Sequence, residues 1–417
     1  MIFATFDTFR KNEASIGEIN VCHHEAVKRT TCLLEKVDTN ILTNYFKWHI
    51  MLSFMEFDLP ATFSNLYFRF YRTLLHGTPT SKPRSKLAMY NMECVLGDAI
   101  GKKFVQTHFS EESKVSVLAI VHGVKNALLY RLTKLEWMSQ DTKKNVLKKL
   151  ENINIKMGYP DKYTHYTRSK LIPENILRTS SIPMHSSLQT CPEKSTAIPT
   201  LRNQWYMTPQ TINAYHNHSF NEIIFPAAFL SPPFFYHNDD PAMNYDALGA
   251  IVCHELTHSF DNTSRKYNYM GNVVDWWTQE DLKNYQSHIT TMVHNAHVTK
   301  ILDTHIDGEL ICGENIAHLG GLKLAFSALE NNIGKNIDKL ASSGYTVPQR
   351  FFIAWAKAWA QNNNEEHQRQ SLTTDPHAPE VFRVNSPLSN MQEFHKAFDI
   401  KPTEKMYVSD NQMVNLW

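Results

Sequence analysis

The chain has 417 residues, of which 42% are hydrophobic and 20% charged, an ordinary globular composition with room for one large or two ordinary domains. Lys and Arg number 42 against 41 Asp and Glu, a formal net charge of +1, which argues against a nucleic-acid binder or a membrane-surface protein. Six scattered cysteines (Cys22, Cys32, Cys94, Cys191, Cys253 and Cys312) form no Cys-x-x-Cys pair, so no zinc knuckle, redox motif or disulfide-dense secreted scaffold is indicated.

The opening stretch breaks its apolar run at Asp7 and carries no charged region before it. It reads neither as a signal peptide nor as a membrane segment, and the chain as written reads as cytoplasmic. Residues 1–155 read as helices joined by short turns. Apolar residues recur at helical spacing over Ile41–Leu52 and Ala61–His76, then over 98–109, 115–137 and 140–155. Ser110 and Ser139 stand where N-caps belong, each with acids in the following turn. The aromatic and Met stripes are read as core, and this half is assigned an enclosing role without chemistry.

From Gly158 to about Asn244 prolines recur, including Pro160, Pro173, Pro183, Pro192, Pro199, Pro209, Pro226, Pro232 and Pro233. Short β-like runs lie at Thr211–His216 and Glu222–Phe225, so this is a loop-and-strand region. It leads into an apolar run without proline from Met243 to Asp261, read as a buried helix. That run contains His254-Glu255-Leu256-Thr257-His258. Residues four apart on a helix share a face, so the two imidazoles point the same way and can bind zinc. Glu255 can then reach a water held by the metal without itself being a ligand. With 21 His in the chain, the three fixed letters arise by chance in roughly one chain in twenty. A helix with two core or solvated histidines is the bland alternative, and a third ligand decides between them.

Downstream, Thr278 opens a helix, a second helix follows Gly313, and a third runs over Pro348–Asn364. Residues 375–417 read as irregular. The position six residues beyond His258, where one zinc-site plan puts a third His, is Ser264. Glu280 and Glu314 both lie at workable distances, and spacing alone leaves the choice open.

Glu314-Asn315-Ile316-Ala317-His318, with Gly320-Gly321, resembles the Glu-Asn-x-x-Asp motif of the neprilysin family of zinc endopeptidases, which includes endothelin-converting enzymes and bacterial endopeptidase O proteins. Asn213-Ala214-Tyr215, the segment Phe225–Phe235, Gly271–Trp277, Thr374–Pro379 and Phe382-Arg383-Val384 are similar to family segments in the same order. The resemblance implies an α+β, predominantly α-helical architecture: a zincin-like, thermolysin-type catalytic domain over 156–417 and a partial all-α substrate-enclosing domain over 1–155. It implies one Zn2+ per chain, bound by His254, His258 and Glu314, with Glu255 as general base. His377 would stabilise the oxyanion, Arg383 would bind a substrate carbonyl, and Asn213 and Ala214 would hold an extended peptide. Asp261 would orient a ligand imidazole, and Phe229, Ile251 and Trp359 would line the side-chain pocket.

The chain also departs from that pattern. His318 stands where the family has an Asp that anchors a ligand His, and an imidazole is a weaker substitute. Cys253, Ser259, Ser264 and Ser386 stand where the family has glycines. Family members are longer, so the sequence reads as a C-terminal portion whose original N-terminus is missing, monomeric if complete. Two functions follow. One is a zinc endopeptidase cutting oligopeptides on the amino side of large apolar residues. The other is a truncated remnant that binds zinc or peptide without turnover.

Overall fold

The computed structural model describes residues 23–163, 203–236, 241–334 and 344–417. The opening stretch, Cys22, Cys191 and the prolines Pro173, Pro183, Pro192 and Pro199 lie outside the described residues. The chain divides into two compact units, Met1–Gly97 with Thr164–Gln204, and Asp98–Tyr163 with Trp205–Trp417. Residues of the helices between 111 and 151 share one hydrophobic core with residues after 213.

In the first unit, α1 (His24–Leu34), α2 (Thr39–Met55) and α3 (Ala61–Tyr67) lead to α4 (Arg84–His108), which carries non-helical dihedrals at Leu96, beside the boundary. Asp38 caps α2 by accepting from the Asn40 N–H at 2.9 Å. The stripe read as core in α2 buries Met55 but leaves Ile41, Trp48 and Ile50 exposed. Among the described residues no element covers that face.

In the second unit, α5 (Glu111–Lys134) and α6 (Gln140–Glu151) begin at Ser110 and Ser139. Each serine accepts from the backbone N–H three residues on, which explains the entry points. By length and composition α5 is the one described helix apolar enough to cross a bilayer, and here Val117, Val121, Val124, Leu128 and Leu132 are buried in the core. A three-stranded sheet follows: β1 (Asn154–Gly158), β2 (Tyr215–Asn217) and β3 (Glu222–Pro226), in the order β1-β3-β2. Strand β1 runs parallel to β3 and β2 antiparallel to it. Sequence periodicity carried the preceding helix to 155. The structure ends it at Glu151, because Ile155 and Met157 pair with Ile223 and Phe225 on β3. A buried ion pair, Lys156 Nζ to Glu222 Oε2 at 2.7 Å, crosses the same pair of strands.

The run read as one helix from Met243 is built of a helical turn (Pro241–Asn244), a wide turn (Tyr245–Gly249) and α7 (Ala250–His258). Every residue of α7 before His258 is buried. Next come α8 (Gln279–His297), capped by Thr278, and a two-stranded ribbon of β4 (Lys300–Ile301) and β5 (Thr304–His305). Then follow α9 (Cys312–Ile333) and α10 (Val347–Ala358), the latter with a capping box from Thr346 to Gln349. After α11 (Glu365–Thr374), the end of the chain is helical where it was read as irregular: α12 (Glu380–Ser389) and α13 (Gln392–Phe398). Pro379 caps α12, and Pro387 lies inside it near its end. Those prolines masked the helix in the sequence. Trp417 is buried against Phe260, Tyr285 and Trp137.

The contact that matters most is α9 on α7. A Cβ added at Gly321 would stand 2.7 Å from the Ala250 carbonyl oxygen and 2.9 Å from the His254 backbone nitrogen. At Gly320 it would meet Thr257 and Trp417 side-chain atoms at 2.7 Å. The glycine pair therefore lets two backbones touch, and it brings the first turn of α9 to the face of α7. Gly321→Ala gains about 1 kcal/mol of helix propensity. Overpacking costs about 1–3 kcal/mol, and backbone neighbours that cannot rotate away place it at the upper end. Net destabilisation of about 1–2 kcal/mol is expected in denaturant unfolding, and an unchanged midpoint would refute the close approach.

Candidate metal centre

His254 and His258 leave the same face of α7 with Nε2 atoms 3.0 Å apart and rings nearly perpendicular. Glu314, in the first turn of α9, faces both: Oε2 is 3.3 Å from His254 Nε2, and Oε1 is 3.5 Å from His258 Nε2. One donor atom from each residue lies within 4.8 Å of the others. Glu280, the other carboxylate in reach by sequence, is exposed in the first turn of α8. A tetrahedral ion with bonds of about 2.0–2.1 Å keeps its donor atoms roughly 3.3 Å apart, so the three side chains are spaced as ligands of such an ion. Glu314 Oε2 is buried and accepts no hydrogen bond among the described residues. A buried carboxylate oxygen of this kind fits the role of a cation ligand.

The electrostatics follow from burial. Burial pulls His254 down to about 4, with the neighbouring His258 adding to the effect. Burial alone would lower His258 too, but its contacts with Asp261 and Glu314 outweigh it and raise the group. Burial alone would raise Glu314, but the two imidazoles hold it well below the usual carboxylate range. Burial pushes Glu255 up to about 7, with His258 and Arg383 opposing the rise and Glu314 adding to it.

Asp261 is fixed before it meets the metal face. Its Oδ1 accepts from the Thr263 N–H at 2.9 Å and the Ser264 N–H at 2.6 Å, and its Oδ2 lies 2.8 Å from His258 Nδ1. The imidazole of His258 is thus oriented by a carboxylate that cannot turn away. His254 has no such partner: its Nδ1 is buried without a hydrogen bond among the described residues. His318, one turn along α9 from Glu314, stacks on it at 4.4 Å between centroids and 32° between planes. Neither His318 nitrogen makes a hydrogen bond among the described residues, and burial holds this ring well below the usual histidine range. Where the sequence reading had His318 accepting from a ligand histidine, the structure has a ring-to-ring contact, wedged against Trp355 and Trp359.

His377 precedes α12. Asp375 Oδ1 accepts from its backbone N–H at 2.9 Å and faces its Nδ1 at 2.8 Å, while Nε2 points to Glu314 Oε2 at 3.4 Å. Arg383, on α12, lays its guanidinium 3.5 Å over the Trp359 ring. Burial lowers Arg383 to about 10, so it stays charged. His377, Arg383 and Trp359 line a cleft of 310 Å³ together with Phe234 and Glu380. Of the other two pocket candidates, Phe229 stacks behind Phe234 at 4.4 Å and Ile251 is buried within α7, so neither lines this cleft. Ala214 is buried and Asn213 exposed just before β2, one of the two edge strands of the described sheet. The Asn213 side chain accepts from the Ala214 N–H at 2.9 Å. Sequence reasoning missed Asp375, Phe234 and the buried Lys149 described below. Only Asp375, two residues before His377, left a local signal.

Two imidazoles and a carboxylate on crossing helices, with a buried glutamate next in sequence to the first imidazole, form a donor set that could hold a metal ion in a mostly helical α+β fold. The profiles of peptidase family M13 match residues 213–414 and, for the family's N-terminal part, 3–160. The chain belongs to peptidase family M13. It is 32% identical over 400 residues to human endothelin-converting enzyme 1, covering 93% of this chain and 51% of that protein. Among solved structures it is similar to the zinc metalloprotease Zmp1 of Mycobacterium tuberculosis in complex with an inhibitor, with a TM-score of 0.86 and 30% identity over 93% of this chain and 59% of that one. It is also similar to PepO of Lactobacillus rhamnosis, with a TM-score of 0.80 and 28% identity over 90% of this chain and 59% of that one. The chain spans about half the length of the curated relatives it matches.

His318→Asp would place a carboxylate beside the unpartnered His254 Nδ1. Partners of this kind are worth about 10–100-fold in metal affinity, so a rise of that order is expected in zinc competition titrations at neutral pH. Equal affinities would show that the stacked ring serves as well.

Proposed function

We propose that this chain is a zinc-dependent endopeptidase that cleaves oligopeptides on the amino side of large apolar residues. The observation that carries the reading is the triad of His254, His258 and Glu314, whose donor atoms converge in a buried place with Glu255 beside them. These three would hold the zinc. Bound there, zinc would lower the pKa of a water toward about 7 and polarise the scissile carbonyl.

Each remaining role belongs to a residue of the chain. Glu255, raised to about 7 by burial, would take the proton of the attacking water and pass it to the leaving amine. His377 is aimed by Asp375 with Nε2 toward the metal face, where its N–H would donate to the oxygen that gains charge. Arg383, fixed on Trp359, would donate to a carbonyl of the peptide. The cleft those two residues line would take the side chain after the cut bond, with Trp359 and Phe234 as its apolar walls. Asn213 and Ala214 stand at the start of edge strand β2, where an extended peptide can add as a further strand.

A second reading, zinc or peptide binding without turnover, draws support from His254, whose Nδ1 has no partner among the described residues. One variant separates the two. Glu255→Gln keeps the shape and removes the basic oxygen, so zinc should stay bound. Cleavage of short apolar peptides should fall by about 10²–10⁴-fold. A wild type that binds zinc and cleaves nothing favours the second reading. A variant as active as the wild type refutes Glu255 as the base. Glu314→Ala should abolish zinc binding and Glu280→Ala should not, and the reverse result would move the third ligand.

A further inference from the structure

The segment that follows the metal-facing helix is gathered by one buried ammonium. Lys149, on α6, is 1% exposed. Its Nζ donates to the Ser259 carbonyl at 2.7 Å, the Ser264 carbonyl at 2.7 Å and the Tyr267 carbonyl at 2.8 Å. An ammonium carries three N–H donors and no acceptor, so each proton has its own oxygen. The backbone of Lys149 is held in turn, since its carbonyl accepts from Asn221 Nδ2 at 2.9 Å, next to β3. A methionine would fill the same volume without desolvating a charge, so core packing alone does not call for lysine here.

The three carbonyls belong to the stretch 259–267, which ends α7 and carries Asp261. Ser264 links the two ends of the arrangement. Its carbonyl accepts from Lys149, and its N–H donates to Asp261 Oδ1 at 2.6 Å. Asp261 Oδ2 then meets His258 Nδ1 at 2.8 Å. Hydrogen bonds joined through the backbone of Ser264, whose N–H and C=O lie in neighbouring peptide units, thus lead from Lys149 through one carboxylate to an imidazole of the triad. Burial lowers Lys149 to about 7, with Asp261 opposing, while the three carbonyl contacts favour its charged form.

We propose that Lys149 is a positioning residue for the metal centre, setting the orientation of His258 through the Ser264 backbone and Asp261. The proposal rests on the metal-binding reading above. Removing the ammonium takes a donor from three carbonyls, of which that of Ser264 keeps a second, the Tyr267 N–H at 3.0 Å. The stretch 259–267 then relaxes, Asp261 loses its fixed angle, and His258 Nε2 leaves the position it shares with His254 Nε2 and Glu314.

The test uses the full chain with Co2+ as the probe, because its visible d–d absorption reports ligand geometry. Lys149→Met removes the charge, and Lys149→Gln keeps two N–H donors on a shorter arm. Lys156→Met removes a different buried cation, the partner of Glu222 across β1 and β3. Co2+ affinity is expected to fall about tenfold or more in Lys149→Met, with a changed d–d spectrum, and by less in Lys149→Gln. Lys156→Met should lose thermal stability and keep the wild-type affinity and spectrum. Wild-type affinity and spectrum in both Lys149 variants would overturn the proposal. So would failure of both to fold, which would make Lys149 a general anchor of the core, or an equal loss in Lys156→Met. A wild-type chain that binds no Co2+ would instead overturn the metal reading itself.

Discussion

Helix α9 lies so close on α7 that a methyl group at Gly321 would strike backbone atoms of Ala250 and His254. The site depends on that distance. Glu314 has a short reach and sits at the very start of α9. With the helices a methyl group further apart, its oxygens would leave the 3.3 and 3.5 Å approaches they make to the two imidazoles. The crossing also brings His318 onto His254, so the same contact that completes the triad brings in the residue that fits it least well.

The two imidazoles are supported unequally. His258 is held by Asp261, which is held by the Thr263 and Ser264 amides, while the carbonyls around it converge on Lys149. His254 relies on packing alone: its Nδ1 meets no donor or acceptor among the described residues, and its neighbour His318 is equally unpartnered. Buried polar atoms without partners are costly. The cost lies on His254 Nδ1 and Glu314 Oε2, so His258 is the braced member of the three. Metal binding and folding are coupled in such a site, because the donors face one another at close range whether or not a cation is there to offset the cost.

Much of this was legible in the sequence, for physical reasons. The spacing of His254 and His258 works because the helix repeat puts them on one face, and that requires no tertiary information. Serine and threonine caps at 110, 139 and 278 are local chemistry and were readable as such. The choice of Glu314 over Glu280 depends on which helix crosses α7, which spacing alone cannot show. The first two residues of β1, Asn154 and Ile155, were read as helix because the strand's parallel partner lies far along the chain, and pairing with β3 makes Asn154–Gly158 extended. The terminal helices were masked by Pro379 and Pro387, whose positions at the cap and near the end of α12 are harmless to it. Lys149 had no signal at all, since its three partners are backbone carbonyls, which carry no side-chain identity.

X-ray absorption of the chain loaded with one equivalent of zinc tests the central claim most directly. The account predicts four nitrogen or oxygen donors at about 2.0–2.1 Å, two of them with the multiple scattering of imidazole, and no sulfur. A sulfur shell at about 2.3 Å, which would bring in Cys253 or Cys312, or an ion with a single imidazole, would contradict it.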